Sequence, residues 1–311
     1  MRVSDHTLIK EKQVKIMEYF MYGCCSAEQN CTTKSFTLMV HGNGCTGSLF
    51  KPHHEMAMRN GICLIAPTIQ GWGLSLSSDA VTVSEFATLM KQLMIDELKI
   101  EKFNVIGVSM GGPYAGGVAA YLNKHVHNVN LFVPFGKRDD ENEPFGNLTM
   151  LNRIAFEMLM SPLTNDLLVD LILLPSLLED PTKTFESMYP KEFAEVKDAP
   201  EGTQLIEELK RSIQWTRIGM KRSSATLLKA SWGIELDEIA KVSGRVTITM
   251  AELDSMIAPN NPKHYFKKIS QAAINAGLDQ DSKVKMVVLK GRTHFTSVFH
   301  LEEAIIELNK I

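Results

Sequence analysis

The sequence Gly-Val-Ser-Met-Gly at residues 107–111 constrains the fold more than any other part of the chain. An apolar run at 103–106 precedes it and predicts a buried strand, and residues 112–123 predict a helix. A serine between glycines at minus two and plus two, on a strand-to-helix turn, is typical of a nucleophile elbow. The turn is so tight that a side chain at Gly107 or Gly111 would collide with the neighbouring strand or helix. Ser109 Oγ is therefore expected at the carboxyl edge of a sheet, at a helix N-terminus.

Short apolar runs bounded by turn residues recur along the chain, which is typical of strands buried on both faces of a parallel sheet. Helical stretches separate the first of them, and Thr82 and Glu85 match a capping box. This alternation predicts an α/β fold with a doubly wound, mostly parallel sheet. Residues 7–22 instead predict an antiparallel hairpin at the sheet edge. The predicted strands are 36–40, 62–66, 103–108, 129–133, 246–250 and 284–289, and the helices 51–59, 84–98 and 112–123.

The alternation of strands and helices breaks between residues 137 and 242. A charged loop at 137–143 is followed by apolar, helical sequence without a convincing strand. The most apolar stretch, 167–178, is too short to span a bilayer. We interpret it as a helix that faces a pocket; a structural core helix and a membrane-touching lid are the alternatives. The helical stretches are 148–160, 166–178 and 207–230.

This break predicts that a helical insertion divides an α/β core. We expect residues 1–136 to form the first part of the core and 243–311 the second part. Residues 137–242 would form a helical cap between them.

Composition and charge exclude several classes of function. The 311 residues are 44% hydrophobic and 22% charged, as in ordinary soluble globular proteins. A net charge of −3 gives no basic surplus for nucleic acid or for an anionic membrane. The N-terminus lacks the apolar region of a secretory signal, and no apolar run approaches the roughly 18 residues of a membrane span. We therefore expect a cytoplasmic protein without an integral membrane segment.

The chain has five cysteines, an odd number. Cys24, Cys25 and Cys31 cluster, but they have neither paired spacing nor nearby histidines, so a zinc site is not expected. Without a secretory signal, we expect reduced thiols.

A glycine-rich turn, His-Gly-Asn-Gly at residues 41–44, follows the predicted strand 36–40. Acyl transfer places negative charge on the former carbonyl oxygen, which needs preorganised N–H donors. We assign the first donor to the N–H of Asn43, with Gly44 as the alternative, and the second to the N–H of Met110. His41 and Gly42 support the motif, and His41 is expected to hold the loop by hydrogen bonds.

An acid and a histidine follow the last two predicted strands. Asp254 comes after strand 246–250 and is well placed to orient an imidazole; Glu252 is the nearest competitor. His294 lies in the sequence Gly-Arg-Thr-His-Phe at 291–295, after strand 284–289. Its ring can reach Ser109 with one nitrogen and donate to Asp254 with the other, which fixes the tautomer. More distant candidates for the acid are Asp139 and Asp140.

The order Ser109, Asp254, His294 is that of the α/β-hydrolase family, which this chain resembles over residues 7–310. The resemblance rests on these three residues and on the motifs at 41–44, 107–111 and 291–295. It implies a serine hydrolase with a helical cap, resembling carboxylesterases that cleave small apolar esters. Such a mechanism uses a small-molecule substrate and requires no metal or organic cofactor. The resemblance leaves the oligomeric state open.

The loop at residues 67–75 is also similar to the family's loop after its fourth strand. Thr68 and Gln70 stand where many members carry an acid or an arginine. This departure calls the loop's usual ion pairing into question, but not the catalysis.

Other functions could use the same residues. A carbon–carbon bond hydrolase or a hydroxynitrile lyase would use the same serine and histidine, and a ligand-binding receptor could retain the whole set. Enzymes of this fold that act on halides or epoxides resemble a version with aspartate at the elbow, so Ser109 argues against them.

Overall fold

The computed structural model describes residues 6–10, 13–24, 33–77, 79–137, 161–228 and 232–310, with short pieces at 150, 153–154 and 157–158. Within these ranges the strands are numbered β1 to β9 in chain order. They are His6–Lys10 (β1), Gln13–Met17 (β2), Tyr19–Tyr22 (β3), Ser35–Val40 (β4), Ile62–Pro67 (β5), Phe103–Val108 (β6), Val126–Phe132 (β7), Val246–Ala251 (β8) and Val284–Leu289 (β9).

The central sheet has seven strands in the order β3-β5-β4-β6-β7-β8-β9. Strands β4 to β9 pair in parallel, and β3 pairs antiparallel with β5 at one edge. Helices pack on the sheet, and apolar side chains of the sheet and helices form the core. The prediction of an α/β fold with a doubly wound, mostly parallel sheet is confirmed, as are all six predicted strands.

The N-terminal segment differs from the predicted edge hairpin. Strands β1 and β2 do form an antiparallel hairpin, but it is a separate two-stranded sheet, and only β3 joins the central sheet. Glu18 lies between β2 and β3. Its N–H donates to Ser75 Oγ and its carbonyl oxygen accepts from Thr68 N, so both groups bond to a loop instead of to a strand.

The helices are shorter and more numerous than predicted. The capping box at Thr82 and Glu85 is present. The described α-helices are His54–Asn60, Val83–Lys91, Gly111–Tyr121, Pro162–Leu168, Leu174–Glu179, Pro181–Met188, Pro190–Val196, Pro200–Ile213, Ile218–Leu228, Asn260–Asn275, Gln280–Lys283 and Leu301–Leu308. Turns of 3₁₀-helix occur at Gly47–His53, Leu236–Lys241 and Thr296–His300, and π-helical turns at Gln92–Glu97 and Val169–Leu173.

Between β7 and β8 the described residues form helices and no strand. Proline begins four of these helices, a position where its missing N–H and fixed φ are well tolerated. The predicted helix 207–230 is two helices, because residues 214–217 interrupt it. The predicted helix 148–160 and the loop 138–143 lie largely or wholly outside the described residues. The division of the chain into core and cap segments stays a prediction.

The apolar stretch 167–178 is partly exposed and partly buried, and its predicted place beside a pocket stays a prediction. Leu167 and Leu171 are 55% and 69% exposed, whereas Leu174 and Leu177 pack in the core. The π-helical turn Val169–Leu173 contains Leu171 and directly precedes Leu174. No helix in the described part of the chain is long and apolar enough to cross a membrane.

The expectation of reduced thiols is wrong for one pair of cysteines. Cys24 and Cys63 form a disulfide, because the antiparallel pairing of β3 with β5 brings their Cα atoms to 4.3 Å. Cys45 is a buried free thiol. Cys25 and Cys31 lie outside the described residues.

Candidate active site

The elbow at residues 107–111 joins β6 to the helix Gly111–Tyr121, as predicted. A Cβ at Gly107 would overlap the carbonyl oxygen of Gly111, and a Cβ at Gly111 would overlap that of Val40. Ser109 has φ of +56°, a strained value for a residue other than glycine. Its N–H donates to Phe132 O at 2.9 Å, and its carbonyl oxygen accepts from Gly112 and Phe135. These bonds hold the strained turn in place.

The structure brings Ser109, His294 and Asp254 together from the ends of three strands. Ser109 Oγ lies 3.0 Å from His294 Nε2, and His294 Nδ1 lies 2.8 Å from Asp254 Oδ2. The side chains of His294 and Asp254 are 9% and 4% exposed. A carboxylate that accepts from Nδ1–H leaves Nε2 able to take a proton from the serine hydroxyl. The arrangement can therefore activate Ser109 as a nucleophile.

Asp254 is fixed by its own loop. Its Oδ1 accepts hydrogen bonds from the N–H groups of Met256 at 2.9 Å and Ile257 at 2.8 Å. The competing acid, Glu252, is directed elsewhere, because Lys290 Nζ and Gly291 N both donate to its carboxylate. The bond from Lys290, followed by that from Gly291, lowers the pKa of Glu252. Asp139 and Asp140 lie outside the described residues.

The loop after β4 approaches the nucleophile at Gly42. A Cβ at Gly42 would lie 3.1 Å from Ser109 Cβ, so a larger residue would push the loop away. His41 holds this loop: its Nε2 accepts from Ile69 N at 2.9 Å, and its Nδ1–H therefore donates to Gly42 O at 2.8 Å. Burial lowers the pKa of His41 to about 4, only partly opposed by the bond to Gly42. His41 is thus a neutral structural group.

The predicted oxyanion donors lie on both sides of Ser109 in the chain. Asn43 is exposed, whereas Gly44 and Met110 are buried. Gly44 has φ of +72°, which suits glycine. Within the described ranges, no hydrogen bond involves the N–H of Asn43, Gly44 or Met110. Their role as oxyanion donors stays a prediction.

Two charged residues near the site were missed by the sequence analysis. Glu18 is 1% exposed; its Oε1 accepts from Arg211 at 2.8 Å, and its Oε2 accepts from Thr68 Oγ1 at 3.0 Å. Thr68 Oγ1 in turn accepts from Gly47 N. An ion pair is therefore present at this loop, although its charges come from distant segments. Gln70 is buried, and neither of its side-chain polar atoms has a partner within the described residues.

An aromatic cluster lies next to His294 and includes side chains of the helices between β7 and β8. The Phe295 ring lies 5.7 Å from the His294 ring, measured between centroids, and in edge contact with it. Phe185 and Tyr189 approach Phe295 at 4.9 and 4.7 Å. This packing seats the helices 181–188 and 190–196 beside the histidine.

Comparison with solved structures identifies the fold. The chain is similar to a hydrolase from Pseudomonas aeruginosa PA01, with 14% identity over 99% of this chain and 98% of that one, and a TM-score of 0.65. It is also similar to a bromoperoxidase from Bacillus anthracis, with 15% identity over 98% and 99% of the two chains and a TM-score of 0.66. An esterase from Thermogutta terrifontis aligns with 14% identity over 99% and 97%, with a TM-score of 0.60.

By sequence, no protein-family model and no curated protein matches the chain. The TM-scores of 0.60–0.66 establish the shared architecture. The identities of 14–15% are too low to establish the reaction. The structural likenesses extend over nearly the full length of each chain, and the sheet order and elbow agree with them. The chain therefore has the α/β-hydrolase fold.

Proposed function

We propose that this protein is a serine hydrolase that cleaves small apolar carboxylic esters through an acyl-enzyme intermediate. The observation that carries the proposal is the chain of contacts from Ser109 Oγ to His294 Nε2 and from His294 Nδ1 to Asp254 Oδ2. A serine at a strained elbow, hydrogen-bonded to a histidine that a buried carboxylate orients, is the arrangement of nucleophilic acyl transfer. The esterase of the same fold supports this choice of reaction.

In the proposed mechanism, Ser109 Oγ attacks the ester carbonyl carbon and its proton passes to His294 Nε2. Asp254 stabilises the imidazolium that forms. The N–H groups of Met110 and of Asn43, with Gly44 as the alternative, donate to the oxyanion. The tetrahedral intermediate expels the alcohol, which takes the proton from His294. Water activated by His294 then cleaves the acyl-enzyme and regenerates Ser109.

The aromatic cluster at Phe185, Tyr189 and Phe295 supports an apolar substrate, because it places hydrocarbon surface next to His294. In this proposal the helical segment 137–242 acts as a cap over the site. The proposed cytoplasmic location is weakened by the Cys24–Cys63 disulfide, since disulfides persist mainly in oxidising compartments.

The test is hydrolysis of a p-nitrophenyl ester panel by the wild type and by Ser109→Ala. We expect Ser109→Ala to fold normally and to lose about 10⁴–10⁶-fold in turnover. A variant that keeps more than a tenth of wild-type activity would show that Ser109 is not the nucleophile. Labelling of Ser109 by a fluorophosphonate without turnover of any ester would instead favour a ligand-binding receptor.

A further inference from the structure

The helix Pro200–Ile213 reaches the loop after β4 through a buried carboxylate. Glu208 is 1% exposed. Its Oε2 accepts hydrogen bonds from Thr46 N at 2.8 Å and from Thr46 Oγ1 at 2.5 Å. Its Oε1 accepts from Ser48 Oγ and, at 3.2 Å, from Gln204 Nε2. Four donors therefore match the four lone-pair sites of one carboxylate.

These contacts suit the ionised form of Glu208. The carboxylate can accept all four bonds, and bonds to an ionised acceptor are the stronger kind, whereas a protonated carboxyl could donate only to a hydroxyl of Thr46 or Ser48 that turns to accept. Burial raises the pKa of Glu208, while the bonds from Ser48 and Thr46 and the charge of Arg211 oppose this rise. The donors of the loop therefore oppose the protonation of Glu208 that burial favours.

Glu208 acts close to the predicted oxyanion donors. Thr46 follows Asn43 and Gly44 by three and two residues, so fixing its N–H and its hydroxyl restricts where these residues lie. The same helix also covers the loop directly, since a Cβ at Gly44 would lie 3.3 Å from Leu209 Cδ2. A shift of Glu208 would therefore be transmitted to the N–H groups of Asn43 and Gly44.

The opposite side of the loop is fixed by the neutral ring of His41, which bonds to Gly42 O and Ile69 N. The loop is thus held between a core histidine and a carboxylate from the inserted helices. We propose that Glu208 is a positioning residue whose carboxylate keeps the N–H of Asn43, or of Gly44, aligned with the developing oxyanion. This inference rests on the proposed serine hydrolase function and adds a determinant of its rate.

The variant Glu208→Gln tests this role with little change of shape. An amide has one accepting oxygen and one NH₂ group, so the NH₂ must either face the fixed donor Thr46 N or force the Ser48 hydroxyl and the Gln204 amide to turn. We expect kcat to fall about 10- to 100-fold with KM unchanged, because a displaced oxyanion donor weakens binding of the transition state and not of the ester. If Glu208→Gln disturbed only the packing of the pocket around the substrate, KM would rise instead.

The matched control is Glu207→Gln, which makes the same charge change one residue away on the same helix. Glu207 is exposed. We expect its kcat and KM to stay within about twofold of the wild type, as for a surface change that removes no buried contact. Should Glu208→Gln fail to fold, Ser48→Ala removes one of the four donors and should lower kcat in the same direction by a smaller factor.

A fluorophosphonate probe gives a second readout that needs no ester. Ser109 Oγ bonds to phosphorus, the P–F bond breaks, fluoride leaves, and the serine proton passes to His294. The phosphoryl oxygen would use the same N–H donors, so Glu208→Gln should slow phosphonylation by the factor seen in kcat. Thermal unfolding checks that each variant is folded at the assay temperature.

The outcomes separate this inference from the proposed function. If the wild type is active and labelled, and folded Glu208→Gln has a kcat within twofold of the wild-type value, the positioning role alone is overturned. A rise in KM at constant kcat overturns it as well. A wild type that hydrolyses no ester and takes no label overturns the proposed function, and the positioning role with it.

Discussion

Replacement of Asp254 by asparagine tests the proposed mechanism sharply, because neighbouring donors dictate how the new amide is oriented. Oδ1 of Asp254 accepts from the N–H groups of Met256 and Ile257. In Asp254→Asn the amide oxygen must keep that position, since an NH₂ group there would face two N–H donors. The NH₂ group then lies where Oδ2 was, 2.8 Å from His294 Nδ1, and donates to it.

A donor at this position forces the wrong tautomer on His294. With Nδ1 accepting, the ring proton moves to Nε2, which faces Ser109 Oγ at 3.0 Å. The imidazole then has no lone pair with which to take the serine proton. We expect kcat/KM to fall about 10⁴-fold, as in triads where this change leaves the geometry intact. That corresponds to about 5 kcal/mol of transition-state stabilisation.

The assay is kcat/KM on p-nitrophenyl butyrate, with urea unfolding to confirm that Asp254→Asn is folded. Glu252→Gln is the control, because Glu252 is two residues away but bonds to Lys290 and Gly291. We expect it to remain near wild-type activity. The reasoning is refuted if Asp254→Asn keeps more than a tenth of wild-type kcat/KM, or if Glu252→Gln loses as much.

Three further predictions concern stability and substrate choice. Burial lowers the pKa of His53 from 6.5 to about 4, so the unfolded chain binds a proton at His53 more readily than the folded chain does. The contribution of neutral His53 to the free energy of unfolding is therefore complete above pH 6.5 and is lost as the pH falls toward 4. Between pH 7 and pH 5, the free energy of unfolding measured in urea should therefore fall by about 2 kcal/mol less in His53→Leu than in the wild type. Equal decreases in the two proteins would contradict this prediction. Reduction of the Cys24–Cys63 disulfide, which closes a separation of 39 residues, should lower the free energy of unfolding by up to about 4 kcal/mol, with no effect of reductant on the double serine variant. Lengthening the acyl chain from C2 to C8 should raise kcat/KM by up to about fourfold per CH₂, and a flat or falling series would argue against an apolar pocket.

The parts of the fold that the sequence predicted are those specified by local pattern. Val284–Leu289 is apolar except for Lys285 and occurs at the predicted bounds. The elbow was equally predictable from the sequence. Only glycine fits at Gly107 and Gly111, because a Cβ there would overlap a backbone carbonyl oxygen of the turn or of the adjacent strand. The N-terminal segment was only partly predicted: the pattern at 7–22 indicates strands, but it does not show that β1 and β2 pair only with each other while β3 pairs with the distant β5. The disulfide was missed for the same reason, since β3 had to be placed beside β5 first.

The buried carboxylates Glu18 and Glu208 had no local signal. Glu208 lies 162 residues from Thr46, and Arg211 lies 193 residues from Glu18. In the sequence, Glu207 and Glu208 look alike, because both belong to a polar, amphipathic stretch that would ordinarily face solvent. Only the packing of the helix on the loop distinguishes them, leaving Glu207 exposed and burying Glu208. Such pairs become visible only when tertiary structure is known.

The ion pair between Glu18 and Arg211 connects the loop at Thr68 to the helix Pro200–Ile213. Thr68 cannot supply a charge, but its hydroxyl donates to Glu18, and Glu18 accepts from Arg211. Arg211 and Glu208 lie one turn apart on this helix. Glu208 bonds directly to the loop after β4, and Arg211 connects to the loop after β5 through Glu18. If the proposed oxyanion donors are correct, this helix also helps to position them. Changes in this helix that alter substrate choice should then also alter kcat, unless they leave the Glu208 and Arg211 contacts in place.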